Sequence, residues 1–410
     1  MKNFTGYLWI MFAVWHISAQ TTIKVMNYNL LHFNSQTDRK HDLKYILDSY
    51  HPDIFTVCEL ESEAASDTIL NVCLNHDFVN KYSAASFHYN ESGYYQDLNQ
   101  MLYYNHEIFE LTYQTVLHTS VRDINHYILK LKSQDPQPVY IDVYVAHLKS
   151  SSGSNNEQTR LNMVNVFTND LPNIPVGHFV IFAGDLNLYS SSEPAYQALL
   201  DTTNAIVMKD PLDAPGTWSN NASFAYLHTQ STHRYGNDPF VGGGLDDRFD
   251  FIMLSENMMH TQNTDLRYVS NTYAAYGNNG TCYNEAITSQ SCDGGIYDTA
   301  LRSHLYNMSD HLPVVLQLET SHQLQISDLQ IVQSFYLNGE NPARNDVRID
   351  GKADVSLQIH IFDLLGNELL QIKNYKKNTP IDISFLRDNV YFLLIKYNDF
   401  TQLIKFVKVS

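Results

Sequence analysis

Six apolar stretches within the first 320 residues each carry, at or near one end, a polar side chain suited to phosphate or metal chemistry. "IKVMNYNLL" leads to Asn29 and "DIFTVCELES" to Glu59. "VYIDVYVAHLKS" reaches His147, and "VIFAGDLNLY" reaches Asp185 and Asn187. "DRFDFIMLS" holds Asp250 between two phenylalanines, and "NMSDHLPVVLQL" opens on Asp310 and His311. Short runs rich in Val, Ile and Phe, bounded by turn residues, read as buried strands. The pattern predicts strands over 23–29, 54–59, 101–104, 139–147, 179–184, 249–254 and 314–318. A sheet that is apolar on both faces has to be covered on both, which restricts the fold to stacked layers.

Helical spacing appears between these runs. Leu43, Ile46, Leu47 and Tyr50 follow a 3.6-residue period, with Thr37 or Asp38 as the expected N-cap. Leu161, Val164 and Leu171 fall roughly on one face of a second helix. A third is expected to start at Ser192, with Pro194 in its first turn. Strands alternating with helices indicate an α/β or α+β domain.

The polar ends form a chemically consistent set. Asn29 and Glu59 offer hard oxygens for Mg²⁺, Mn²⁺ or Ca²⁺. Asp185 can align or deprotonate a water, and Asn187 can donate to a developing oxyanion. If the chain stays extended there, Asp185 and Asn187 point to one side. Gly184 is expected to let the backbone bend close to a phosphate. His147 and His311 can bind phosphate oxygens or shuttle protons. Asp250 lies inside an apolar strand, where an unpaired carboxylate costs several kcal/mol, so a partner such as a histidine is expected.

Charge and cysteines narrow the setting. The net charge is −18, and residues 325–410 hold ten basic and ten acidic groups, so the whole imbalance lies in residues 1–324. Such a surface argues against a high-affinity, salt-sensitive nucleic-acid binder. It leaves room for an enzyme that meets phosphate through cations. Residues 1–19 read as a secretory signal peptide: Lys2, an apolar core from Tyr7 to Trp15, then Ser18-Ala19. No later segment reaches membrane length. Among the four cysteines, Cys282 and Cys292 are ten apart in a loop-like stretch, where a local disulfide is plausible. After residue 319 the texture changes to short strands and turns, with Val355, Leu357, Ile359 and Ile361 alternating and Asp399 breaking two β-rich runs. The expected division is a catalytic domain over 20–319, a linker over 320–327 and a small β-sandwich over 328–410.

Taken in chain order, Tyr28-Asn29, "CELES", "AHLKS", "GDLN", "RFDFIML" and "SDHLPV" resemble the motifs of the endonuclease/exonuclease/phosphatase superfamily. Its members include deoxyribonucleases, apurinic-site nucleases, neutral sphingomyelinases and inositol polyphosphate 5-phosphatases. The resemblance implies a four-layer α/β sandwich: two packed mixed β-sheets flanked by helices, with the active site at one edge. It implies a metal site of Asn29, Glu59 and Asp310, and catalytic roles for His147, Asp185, Asn187, Asp250 and His311. Arg160, on the helix after the histidine motif, resembles a substrate-binding arginine. Cys58 stands where the family usually has Gln. The carboxylate that orients the first histidine in deoxyribonucleases has no clear counterpart, Asp97 and Asn99 being nearest in sequence.

"VSLQIHIFDLLGNELLQ" and the strands after it resemble the type A sorting domain of the type IX secretion system of Bacteroidetes. "LNGENPARNDV" stands where that family usually carries Tyr-Pro-Asn-Pro. This implies contact with the secretion machinery, passage through the outer membrane, and release or surface attachment. The combined expectation is a secreted, monomeric, metal-dependent phosphodiesterase, with magnesium as the first cofactor choice and manganese or calcium as alternatives. An extracellular endonuclease is the leading activity. A sphingomyelinase-like or phosphomonoesterase activity is the alternative, and a non-catalytic surface protein on the same fold is a third.

Overall fold

The computed structural model describes residues 21–76, 80–93, 97–324, 335–351, 356–397 and 400–410. The expected signal peptide lies outside these residues, as do Val355 and Asp399.

Two mixed sheets dominate. The first runs Arg267–Tyr268, Val314–Thr320, Thr21–Phe33, Ile54–Leu60, Asn99–Asn105, Tyr82–Ala84, with Ala274–Ala275 also paired to Val314–Thr320. The second runs Phe109–Leu117, Ile124–Leu131, Tyr140–His147, Phe179–Asp185, Asp250–Ser255, Met208–Lys209. Each sheet contains one parallel pair, Thr21–Phe33 with Ile54–Leu60 and Tyr140–His147 with Phe179–Asp185.

The alternation along the strands explains the sandwich. Ile181, Ala183, Ile252 and Leu254 face the gap between the sheets, where they join Val25, Ile54, Val57 and Val143. Their neighbours Val180, Phe182, Phe251 and Met253 face outward against Met163, Val164 and Phe167 of the Ser154–Asp170 helix. Hydrophobic side chains on both faces are what made these runs continuously apolar. The first sheet is covered by Leu43, Ile46, Leu47 and Tyr50 of the Lys40–Tyr50 helix, and by Leu301, Leu305 and Met308 of Thr299–Met308. Helix, sheet, sheet, helix is the architecture the sequence resemblance implied.

Local details differ from expectation at three points. The first helix starts after Arg39, not Thr37 or Asp38; the Thr37 hydroxyl instead accepts from the Arg39 backbone N–H. The short Pro194–Leu199 helix is preceded by Glu193, not Ser192, because the Glu193 carboxylate receives the Tyr189 N–H and the Arg160 guanidinium. The expected linker begins too early. Thr320 ends a strand, Gln134 N–H donates to the Gln323 carbonyl, and His322 Nε2 lies 2.9 Å from Asp265, so residues 321–324 still belong to the first unit.

The C-terminal unit has a four-stranded antiparallel sheet: Glu368–Tyr375, Leu357–Phe362, Asn389–Tyr397, Phe400–Lys408. Two short pairs, Tyr336–Leu337 with Ile349–Asp350 and Asp346–Val347 with Ile381–Asp382, accompany it. Leu357, Ile359 and Ile361 enter its core with Ile349, Leu393 and Phe406, as the period of two predicts. Among the described residues, no helix is long and apolar enough to cross a membrane, which leaves β-barrels unaddressed. Cys282 and Cys292 form a disulfide; Cys58 and Cys73 are free and buried.

Arg248, the arginine of "RFDFIML", is wholly interior. Its guanidinium meets both oxygens of Asp210 at 2.8 and 2.9 Å and lies over Phe251 at 4.2 Å and Trp218 at 5.1 Å. Burial alone would raise the Asp210 pKa, but Arg248 outweighs it and the net shift is downward. Asp210→Asn leaves the cation buried without its counter-charge and should cost about 3–5 kcal/mol at pH 7. A carboxylate with a lowered folded pKa contributes stability above its unfolded pKa and loses it as pH falls through the folded value. Calorimetric melting of wild type and variant should therefore show the full gap at pH 7 and a narrowing gap below about pH 4. A gap independent of pH would contradict this pairing.

Candidate active site

The strand register gathers the site. His147 pairs with Asp185, and Asp185 pairs with Asp250, on three adjacent strands. All three continue the row of side chains that fills the gap between the sheets, so the apolar row ends in a polar cluster. From the facing sheet, Asn29 lies opposite Cys58, and Glu59 follows. Asp310 and His311 immediately precede the Val314–Thr320 strand.

Glycine is required at position 184 by the neighbouring strand. Its φ is +151°, and a Cβ there would stand 1.7 Å from the Ala146 carbonyl oxygen. Asp185 and Asn187 do not extend side by side. The strand ends at Asp185, Asn187 takes φ +51°, and its N–H donates to Asp185 Oδ1 at 3.1 Å. This is an Asx-type turn. The Asn187 amide donates to the Leu148 carbonyl at 3.3 Å.

Asn29 joins the two carboxylates. Its Nδ2 donates to Glu59 Oε1 and to Asp185 Oδ2, both at 3.0 Å, while its Oδ1 accepts from Leu31 N–H at 3.0 Å. The amide oxygen, the atom that would ligate a cation, therefore accepts one backbone hydrogen bond here and keeps a second lone pair. His147 Nε2 lies 3.4 Å from Asp185 Oδ2 and 3.9 Å from Glu59 Oε1. Glu59, His147 and Asp185 place one donor atom each within 4.8 Å of one another. Asp310 is not in this group: Asp310 Oδ2 accepts from Val241 N–H at 3.2 Å and Gln230 Nε2 at 3.3 Å, and buried Oδ1 has no hydrogen-bond partner among the described residues.

On the other side, His311 Nδ1 meets Asp250 Oδ2 at 2.7 Å, the partner expected for the carboxylate in the apolar strand. His311 Nε2 lies 3.9 Å from Asp185 Oδ2. Burial lowers the His311 pKa, but Asp250, followed by Asp185 and Asp310, outweighs it and holds the ring well above its usual value. His147 goes the other way: burial, then Arg122 and His311, push it well below, so it is a neutral imidazole. Asp185 is pushed up to about 7, chiefly by burial, with Asp250 and Glu59 adding to the rise against His311. Among the described residues, buried His147 Nδ1 has no hydrogen-bond partner. Asn99, one candidate for that contact, instead donates to the Leu60 carbonyl at 2.7 Å and accepts from Asn90 N–H at 2.7 Å.

Arg160 does not reach out to a substrate. Its side chain has no exposed surface; it pairs with Glu193 at 2.8 Å and donates to the carbonyls of Lys149 and Ser151, both at 2.9 Å. It holds the loop after His147. Arg122 grips the same loop, through the His147 carbonyl at 2.8 Å and the Leu148 carbonyl. Arg39 does this for the loop after Asn29, with donors to the carbonyls of Leu30, Leu31, His32 and Met308. Leu31 and His32 both have positive φ there. Thr229 and Gln230 complete the site: the Thr229 hydroxyl accepts from Asp250 N–H at 3.2 Å, and Gln230 Nε2 lies 2.7 Å from His311 Nε2. Nothing in the local sequence marks Arg122, Thr229 or Gln230, because their partners are distant in the chain, and Arg39 is tied to the site by a nearby irregular loop and by the distant Met308 carbonyl.

Residues 341–409 match a family described as "Secretion system C-terminal sorting domain". Such a domain directs export across the outer membrane, so the protein is secreted or attached to the cell surface. No curated protein matches the chain. Solved structures similar to it include TDP2 of Danio rerio complexed with a single-strand DNA product, at 16% identity and TM-score 0.47, covering 73% of this chain and 100% of that one. The human Nocturnin catalytic domain with bound sulfate is similar at 16% identity and TM-score 0.44, covering 72% and 93%. An endonuclease/exonuclease/phosphatase family protein from Bacteroides thetaiotaomicron is similar at 13% identity and TM-score 0.43, covering 74% and 96%.

Gly184→Ala should break the contact between the His147 and Asp185 strands and lower stability by about 3 kcal/mol or more, read from the urea unfolding midpoint. Wild-type stability in this variant would mean the two strands are not held this close.

Proposed function

We propose that this protein is a secreted, divalent-cation-dependent phosphodiesterase of the endonuclease/exonuclease/phosphatase type, with nucleic acid as its substrate class. The observation that carries the reading is the facing pair of clusters: Glu59, His147 and Asp185 within 4.8 Å, and His311 backed by Asp250 at 2.7 Å. The residues suit a cation. Two carboxylates and a neutral imidazole converge, buried among further carboxylates whose mutual repulsion a cation would offset. Glu59, His147 and Asp185 would hold it; the two carboxylates suit magnesium, manganese or calcium, and the imidazole nitrogen favours manganese among the three. Bound there, it supplies positive charge against a phosphoryl oxygen.

The chain's own groups do the rest. Asp185 Oδ2 faces His311 and orients the attacking water. His311, held by Asp250, donates toward phosphoryl oxygen as negative charge grows. Asn187 keeps one amide hydrogen for the same oxygens. Asn29 sets the spacing of Glu59 and Asp185, and Asp310 buttresses the His311 side. Arg160 positions the loop after His147. Exposed Tyr226 and Tyr235 can stack on bases. One observation favours a second reading, a phospholipid head group or small phosphoester: the net charge of −18 opposes a polyanion.

Glu59→Gln should weaken Mn²⁺ binding at least about tenfold by calorimetry, as loss of a charged ligand does; unchanged affinity would remove the cation from this cluster. Asp185→Ala and His311→Ala should each lower metal-dependent hydrolysis by about a hundredfold or more, with folding retained by circular dichroism. Assays on plasmid DNA, RNA, sphingomyelin and a chromogenic bis-ester decide the substrate. Full turnover in both variants would overturn the assignment.

A further inference from the structure

The segment 228–232, "HTQST", joins the two halves of the site. On one side Thr229 and Gln230 N–H donate to the Asp247 carbonyl at 2.7 and 3.1 Å, and Asp246 and Asp247 N–H return to the Gln230 carbonyl at 2.9 Å. On the other, Leu312 N–H donates to the Thr229 carbonyl at 2.7 Å, and Thr232 N–H to the Asp310 carbonyl at 2.9 Å. The Thr232 hydroxyl donates to the Ser309 carbonyl at 2.7 Å. It therefore lies as an extra extended piece between the approach to the Asp250 strand and the Asp310-His311 segment, which come from different sheets.

Gln230 stands in the middle and is half-buried. Its Nε2 is 2.7 Å from His311 Nε2 and 3.3 Å from Asp310 Oδ2. The opposite ring nitrogen of His311 is already held by Asp250. We propose that Gln230 is a positioning residue for His311, holding the free edge of the imidazole at Nε2 until a phosphoryl oxygen takes its place there; this rests on the phosphoester reading. An amide suits the task because it has two chemical faces. Its nitrogen donates to a bare ring nitrogen and, after a half-turn, its oxygen accepts from a ring N–H. A carboxylate can only accept, and a hydrocarbon can do neither. With both ring nitrogens held, the imidazole does not have to be ordered when substrate arrives.

The test uses full-length protein carrying ¹⁵N-labelled histidine, free of cation and at one fixed pH. Gln230→Leu should shift the His311 Nε2 resonance and leave Nδ1, bonded to Asp250, close to its wild-type position. Gln230→Glu, matched in size and with the same backbone bonds, should also shift Nε2, and it keeps the test usable if the leucine variant fails to fold. With the cation and the best substrate of the panel, both variants should lose about ten- to a hundredfold in kcat while KM stays within about threefold. An Nε2 resonance unmoved in a folded variant overturns the proposal. So does a moved resonance with wild-type kcat. If the wild type hydrolyses nothing, the phosphoester reading fails and His311 has no phosphoryl group to face; the resonances then report separately whether Gln230 holds the ring.

Discussion

Four carboxylates share one buried space, and the rest of the structure depends on keeping them there. Glu59, Asp185, Asp250 and Asp310 arrive from both sheets at the end of the gap between them. Like charges out of water repel strongly, and each burial carries its own desolvation cost. The protein answers with donors of fixed geometry. The Asn29 amide bridges two of the four, and His311 lies against Asp250 with Asp185 and Asp310 near. Around them, Arg39, Arg122 and Arg160 donate to backbone carbonyls, fixing the loops rather than neutralising the acids. The remaining negative field is what a cation would meet.

That division of labour separates what the sequence made legible from what it did not. The strand ends were legible because burial on both faces writes itself as an unbroken apolar run, and a polar residue terminating such a run stands out. The need of Asp250 for a partner followed from desolvation, and His311 supplied it. The tightest demand on Gly184 is not legible locally, because the atom it makes room for, the Ala146 carbonyl, belongs to a neighbouring strand. Extended-chain parity does not hold for Asn187, because the strand ends two residues before it, at Asp185. Arg160 resembles a substrate-binding arginine by its place on the helix, and that place gives no hint that its acceptors are Glu193 and the carbonyls of the loop just before the same helix.

The helix starts tell the same story at smaller scale. Thr37 and Ser192 are good caps by residue type. The helices start instead after Arg39 and Glu193, whose side chains bond to the loops beside them and to Met308 and Arg160. The C-terminal unit, with no such polar centre, followed its period of two closely.

The excursion from His233 to Gly244 closes on itself at its base. Gly244 N–H returns to the His233 carbonyl at 2.8 Å, Ser231 N–H reaches the Gly244 carbonyl at 2.7 Å, and Asn237 and Phe240 pair with each other. Its tip, with Tyr235 three-quarters exposed, can therefore be exchanged as a cassette as long as Val241 keeps its N–H on Asp310. Evolution, or an engineer, could alter what the protein grips while inheriting the reaction centre intact.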